Sequence, residues 1–336
     1  LVVLNVKDAA ERGAEIRTYT PMLSARREGA MWRVETPSGT FCGHALVNAG
    51  GPGADDVARA SGERPAWSIR RVRGSHIVTR RLFDHGYAYI FQLPDTRICF
   101  AIPFEQDFTL IGTTDRDHAG ALDHVPATDD EVAYLCEAAS RYFAKPVTPA
   151  DVGWTYAGVR ALIDDGSGRP EAATRGYRLS LSEPGEGAPL LGMWGGKITS
   201  YRHVSEAAVN MLARRLDALG GPAWTAEKPL PGGDFPVDAQ ADLIETLRAE
   251  YDFLDERDAV RIGRAYGTRA GRWLDRARSW DDLGRQFGAG LSEAEIEYLR
   301  AEEWALTAED VLWRRSKLGL HMTDAERNAV AAYMGA

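Results

Sequence analysis

Apolar and polar residues alternate through Met31-Trp32-Arg33-Val34-Glu35-Thr36, which predicts a half-buried strand closed by the turn Pro37-Ser38-Gly39. A different pattern follows. Ala45-Leu46-Val47-Asn48-Ala49 is an apolar run that stops at Gly50-Gly51-Pro52-Gly53, as a buried strand does where it enters a tight turn beside a ligand. From residue 68 to 115 the chain is strand-rich, with short candidates at 75–78, 88–92, 98–102 and 109–112 separated by turn residues. That spacing predicts an antiparallel sheet and not a βαβ series. Thr128-Asp129-Asp130-Glu131 matches a capping box, and Val132, Leu135, Ala139 and Phe143 repeat at helical spacing after it. That helix is expected to lie across one face of the sheet.

Residues 152–202 return to strands and glycine turns. Leu190-Leu191-Gly192-Met193-Trp194 reads as an apolar strand ending at Gly195-Gly196-Lys197. A helix over about 199–216 follows, with Val204, Ala208, Met211 and Leu212 on one stripe. At the other end, residues 1–13 read as a helix with Gly13 as its C′ residue, then a strand at 15–19. A chain opening in mid-helix without an initiator Met is expected to be a fragment. After Pro229-Leu230-Pro231-Gly232-Gly233 the composition changes, and residues 239–334 are strongly helical. Helix N-terminal signatures pair Ser292 with Glu295, Thr323 with Glu326 and, more weakly, Thr307 with Asp310.

Composition narrows the function classes. The length of 336 residues allows two or three domains, and a 44% hydrophobic content can fill their cores. A net charge of −9 argues against a general nucleic-acid binder, because no broad basic face is supplied. No apolar run approaches the roughly 18–20 residues of a membrane-spanning helix. Cys42, Cys99 and Cys136 are widely spaced and odd in number, so they read as reduced, cytosolic thiols. No cysteine pair has metal-ligand spacing and the histidines are scattered, so no metal is assigned.

Five stretches carry a family pattern in conserved order along the chain. They are Leu46-Val47-Asn48-Ala49-Gly50-Gly51-Pro52; Arg73-Gly74-Ser75-His76-Ile77-Val78 with Leu110-Ile111-Gly112-Thr113-Thr114-Asp115; Trp154-Thr155-Tyr156-Ala157-Gly158-Val159-Arg160 with Thr174-Arg175; Gly195-Gly196-Lys197-Ile198-Thr199-Ser200-Tyr201-Arg202; and Ala308-Glu309-Asp310-Val311-Leu312-Trp313-Arg314-Arg315. Together they resemble the FAD-dependent, quinone-linked glycerol-3-phosphate dehydrogenases over nearly the whole chain. The resemblance implies an α/β plus α+β fold: a partial FAD/NAD(P)-binding-type domain, an inserted antiparallel-sheet substrate domain and a C-terminal all-helical domain. The expected boundaries are 1–60 with 152–220, then 61–151, then 235–336.

The resemblance also implies roles. Asn48, Ala49, Gly50 and Gly51, with Gly195, Gly196, Lys197, Ile198 and Thr199, would meet the cofactor FAD. The two glycine turns let backbone approach a flat ring, and Lys197 with the following helix end could stabilise a reduced, anionic flavin. Arg160 and Arg175 would hold the phosphate of glycerol 3-phosphate, since a guanidinium fork fits a phosphate bidentately. His76 would accept the proton of the C2 hydroxyl, a task suited to a side chain with a reference pKa of about 6.5. Thr113 and Thr114 could hydrogen-bond substrate or flavin, or could simply be β-branched residues at a strand end.

Two positions depart from the family pattern: Gly53 stands where an aromatic residue is usual, and Ala161 where a proline is usual. No Gly-x-Gly-x-x-Gly phosphate loop occurs. The expectation is therefore that residues 1–336 alone purify colourless and inactive, with open edges at 45–49 and 190–194 that a partner copy, a crystal neighbour or a further segment would have to cover, and a homo-oligomer is expected. The family would act on glycerol 3-phosphate and pass electrons to a quinone, from the cytoplasm or peripherally on the inner membrane face. Trp313-Arg314-Arg315-Ser316-Lys317-Leu318 is the candidate for membrane contact, or else a solvated helix surface with one buried tryptophan. A related amine or amino-acid oxidase, or a non-catalytic fragment, stays open as an alternative.

Overall fold

The structure, a computed structural model, describes residues 1–164, 166, 175–182, 187–216 and 221–335. The chain forms two compact units. Leu1–Tyr19 joins Trp224–Ala336 in one, and Thr20–Ala223 makes the other. The opening helix α1 (Val2–Glu11) therefore belongs with the C-terminal helices, not with residues 20–60 as the sequence pattern suggested. Its partners explain why: Lys7 pairs with Glu302, and Arg269 Nη2 reaches Glu11 Oε2 at 2.7 Å, contacts more than 250 residues away in sequence.

In Thr20–Ala223, β1 (Ser24–Glu28), β2 (Met31–Thr36) and β3 (Gly39–Gly43) form an antiparallel meander, with Trp32 fully buried on its inner face. Strand β4 (Leu46–Asn48) runs into the turn Gly51–Gly53 and helix α2 (Ala54–Ala60). Next come β5 (Ile69–Arg80), β6 (Tyr89–Gln92), β7 (Ile98–Phe104), β8 (Phe108–Gly112) and the short β9 (Arg116–Asp117). Helix α3 (Asp129–Ser140) follows with its capping box formed, and then β10 (Val152–Ile163). These strands make one antiparallel sheet in the order β10-β5-β8-β7-β6, with β9 beside β5.

That order corrects a boundary. Val152–Ile163 pairs along the whole of β5, so it is part of the antiparallel sheet and not of the nucleotide-binding layer. Helix α3 covers one face, where Ile77, Ile111 and Leu135 are fully buried together. Each such side chain contributes roughly 1.5–3 kcal/mol by leaving water. Because successive strand residues alternate faces, His76, Gly74 and Val78 point to the side opposite α3.

Strands β11 (Tyr177–Ser182) and β12 (Leu190–Gly195) complete a third sheet, β11-β12-β4, before helix α4 (Tyr201–Ala213). The β12–β4 pair is parallel, with Leu191 opposite Val47 and Gly192 opposite Asn48. Val204, Ala208 and Leu212 form the buried stripe of α4, as the spacing predicted.

The other unit holds α5 (Gln240–Glu250), α6 (Glu256–Tyr266), the short α7 (Gly271–Leu274), α8 (Glu293–Glu303) and α9 (Asp324–Met334). It is not all-helical: β13 (Gln286–Gly288) and β14 (Leu291–Ser292) form a small hairpin. Nor is 15–19 a strand. Tyr19 has φ 52, a left-handed conformation, and its hydroxyl reaches Asp310 Oδ2 at 3.3 Å. Trp313 packs onto the helical core, while Arg314 pairs with Glu309 at 2.8 Å and Arg315 donates to the Glu303 carbonyl at 2.7 Å. Within this segment the Arg315 side chain is largely covered, whereas Arg314 stays half exposed. Among the described residues no helix is long and apolar enough to cross a membrane.

Candidate active site

The register of three strands assembles the centre of the site. His76 on β5 lies directly opposite Tyr156 on β10 and Gly112 on β8. The imidazole stacks on the Tyr156 ring at 4.8 Å with the planes 7° apart. Its other flank is the bare Cα of Gly112, where any Cβ would overlap the histidine ring. Burial, and secondarily the charge of Arg160, push His76 down to about 4, so the ring is neutral near pH 7. Its Nδ1 is buried with no hydrogen-bond partner among the described residues. Gly112→Ala should leave the sheet paired but tilt the imidazole, lowering turnover about tenfold or more, as displaced reacting groups do. Steady-state kinetics with a circular dichroism spectrum check it; a folded variant with parental turnover would show that the glycine serves no purpose for His76.

Arg160 sits four residues beyond Tyr156 on β10 and so shares its face. Gly74 on the neighbouring strand has no Cβ to obstruct the guanidinium, which lies across it. The segment after β8 grips the other side. Arg160 Nη1 donates to the Thr114 carbonyl at 3.1 Å and to Asp115 Oδ1 at 2.9 Å, and Nη2 donates to Thr113 Oγ1 at 2.9 Å. Burial pushes the guanidinium below its usual range; Asp115 opposes this, and the positive charge of Arg175 adds to it. Two cations held close enough to repel one another are a ready place for a dianion. Arg175 is exposed at the rim, and Thr174 lies outside the described residues.

The two threonines serve Arg160. Thr113 accepts from the guanidinium and donates to the Thr114 carbonyl at 3.2 Å. Thr114 is 1% exposed, and its hydroxyl accepts the Ser75 N–H at 3.0 Å while donating to Glu131 at 2.7 Å. A hydroxyl so committed has no proton left for a substrate.

The glycine turns come from the parallel pair β4–β12. Gly195 and Gly196 have φ 68 and 94, and Gly51 has φ 54 with open space above its Cα. Non-glycine residues rarely hold these values, and none adds bulk toward an approaching flat group. Gly50 and Ala49 are exposed; the Asn48 side chain is buried and pins the turn, donating to the Ala54 carbonyl at 2.8 Å and accepting from Gly50 N–H at 3.1 Å. Arg71 on β5 donates to the Pro52 carbonyl at 2.8 Å, tying the turn to the antiparallel sheet. Lys197, Ile198 and Thr199 are exposed ahead of α4. This glycine-lined, sterically open edge suits the isoalloxazine end of FAD, with the α4 terminus favouring negative charge there.

Sequence reasoning named His76 and Arg160 but passed over Tyr156, Gly74, Gly112, Asp115 and Glu131. The signal for Tyr156 was present, four residues before Arg160 on a strand. The roles of Asp115 and Glu131 depend on which strands pair, and no local spacing carries that.

The chain matches two families: "FAD dependent oxidoreductase" over residues 1–202 and "C-terminal domain of alpha-glycerophosphate oxidase" over 223–335. It is 42% identical to a glycerol-3-phosphate dehydrogenase of Pseudomonas aeruginosa over 99% of its length, and 42% identical to a D-erythritol 1-phosphate dehydrogenase of Brucella abortus over 98%. It spans 66% of the length of each of these relatives. The crystal structure of glycerol-3-phosphate dehydrogenase from Bacillus halodurans, complexed with FAD, superposes with a TM-score of 0.77 at 21% identity, covering 99% of this chain and 71% of that one. The shared fold extends through both units, and by sequence the chain belongs to the glycerol-3-phosphate dehydrogenase family of FAD-dependent oxidoreductases.

Proposed function

We propose that the chain is the substrate-facing part of a flavoenzyme that oxidises sn-glycerol 3-phosphate to dihydroxyacetone phosphate. The observation that carries the reading is the pairing of a buried, neutral His76 with a cradled Arg160 on one sheet face. Arg160 and Arg175 hold the phosphate dianion. His76 takes the proton from the C2 hydroxyl as C2–H leaves as hydride, so a secondary alcohol becomes a ketone with charge and atoms balanced. A bound FAD would supply the hydride acceptor for this step, and a quinone would be the final electron acceptor. Gly195, Gly196 and Gly51 would face the flavin, and Lys197 with the α4 terminus would stabilise its reduced, anionic form. Asn48 acts by holding the turn.

A second polyol phosphate fits the same chemistry. The relative from Brucella abortus is named for D-erythritol 1-phosphate and is as similar as the one named for glycerol 3-phosphate. Comparing kcat/KM for the two phosphates would choose between them.

In the full-length protein, Arg160→Lys tests the phosphate role, because a point charge replaces a fork. KM for glycerol 3-phosphate should rise by the equivalent of about 1–3 kcal/mol, the usual scale of a hydrogen bond to a charged group. Unphosphorylated glycerol should be affected far less. Equal loss on both would mean that Arg160 supports the fold or the flavin instead.

A further inference from the structure

The roles of proton acceptor and phosphate holder leave unused a buried carboxylate behind the antiparallel sheet. Glu131, near the start of α3, is 1% exposed. Its Oε2 closes the capping box, accepting from Thr128 N–H at 3.1 Å and from Thr128 Oγ1 at 3.0 Å. Glutamine serves that purpose equally well, so capping alone does not explain a buried charge. The remaining bonds run toward the sheet. Thr114 Oγ1 donates to Glu131 Oε1 at 2.7 Å, and Arg73 Nη2 lies 3.0 Å from Oε2. Burial acts to raise the carboxyl, but the hydrogen bonds from Thr114 and Thr128 outweigh it and hold Glu131 below the usual carboxylate range. It is therefore an anion that the fold has desolvated and then fully bonded.

Thr114 is the link. Its hydroxyl lies against Glu131 and the Ser75 N–H at its back, while its carbonyl and its neighbours Thr113 and Asp115 hold Arg160 in front. Ser75 in turn precedes His76 on β5. The carboxylate thus fixes, from the α3 side of the sheet, the short segment whose other side aims the guanidinium. We propose that Glu131 is a positioning residue for Arg160, acting through Thr114 to set the angle at which the fork meets a phosphate. This rests on the reading of Arg160 as the phosphate holder.

Two substitutions separate positioning from plain support. In the FAD-loaded full-length protein, Glu131→Gln keeps the shape and the cap but removes the charge. Binding of inorganic phosphate, followed by ³¹P NMR, should weaken about tenfold, as small displacements of a positioned group do. KM for glycerol 3-phosphate should rise by the same factor, more than kcat falls, with flavin absorbance at the parental value. Thr114→Val should reproduce the loss, and Thr114→Ser, which restores the hydroxyl, should reverse it. A soluble Glu131→Gln protein with parental phosphate affinity would overturn the proposal and leave Glu131 as a helix cap. If that variant does not fold, parental affinity in Thr114→Val overturns it equally. Arg160→Ala is the companion: weakened phosphate binding there with parental binding in Glu131→Gln defeats only the link, whereas parental binding in Arg160→Ala defeats the phosphate reading and the link together.

Discussion

Replacing His76 by glutamine is expected to lower turnover of glycerol 3-phosphate by about two to four orders of magnitude, the usual contribution of a positioned general base. Glutamine fills a similar volume between Tyr156 and Gly112 but cannot take the proton, so flavin content and KM should change little. Turnover within about threefold of the parent would remove His76 from the chemistry.

The environment of His76 adds a second expectation, with its sign fixed. An unfolded chain binds the imidazole proton near pH 6.5, whereas the folded ring binds it only at about 4. Between those values the unfolded state carries the extra proton, so stability falls as pH drops from about 6.5 to 4, by up to about 3 kcal/mol. In His76→Gln that part of the slope should vanish. The groups facing the ring are Tyr156 and Arg160 on β10, with Asp115 and Arg175 beyond them. A phosphate dianion between the two arginines offsets the charge that depresses His76, so NMR titration with inorganic phosphate should move the ring upward from about 4. A ring that titrates alike with and without phosphate would uncouple the two halves of the proposed site.

Much of this arrangement was legible along the chain because it is written locally. The boxes at Thr128 and Thr323 close as their spacing implies, and the apolar runs ending at Gly50 and Gly195 are strands of one sheet; the open edge expected at 190–194 is absent, because β12 pairs with β11 on one side and β4 on the other. What stayed hidden was decided by partners far away. Thr114 reads as a free strand-end hydroxyl until Glu131 is brought against it by α3 packing. Val152–Ile163 alternates too weakly to announce that it pairs with the whole of β5. α1 resembles any amphipathic helix, and distant partners such as Glu302, Arg269 and Trp304 determine which unit claims it. A motif can also be present and put to another use. Ser292 does cap α8 by accepting the Glu295 N–H at 3.3 Å, yet the Glu295 carboxylate turns away from the cap.

That turned carboxylate should matter more to stability than any other in the helical unit. Glu295 is 0% exposed and meets Arg261 in a fork, Nη1 to Oε1 at 2.6 Å and Nη2 to Oε2 at 3.0 Å. The Tyr266 hydroxyl donates to the same Oε1 at 2.6 Å, and Arg261 Nη2 also reaches the Gly290 carbonyl at 2.8 Å. Burial acts to lower the Arg261 guanidinium, but Glu295 overrides it and raises it; burial and Glu295 together raise Tyr266 well above its usual range. Glu295→Ala leaves a desolvated cation and a phenol without their acceptor. The expected loss is about 3–5 kcal/mol, the cost of stranding one half of a buried ion pair. Hydrogen exchange reads it locally: amide protection in 256–303 should fall by roughly two to three orders of magnitude while β5 and β8 keep theirs. Removing the whole network in Arg261→Met, Tyr266→Phe, Glu295→Leu should recover most of the loss, because apolar groups of similar volume need no acceptor. If the single and triple variants lose protection alike, the cost lies in packing around α8 and not in the stranded charge.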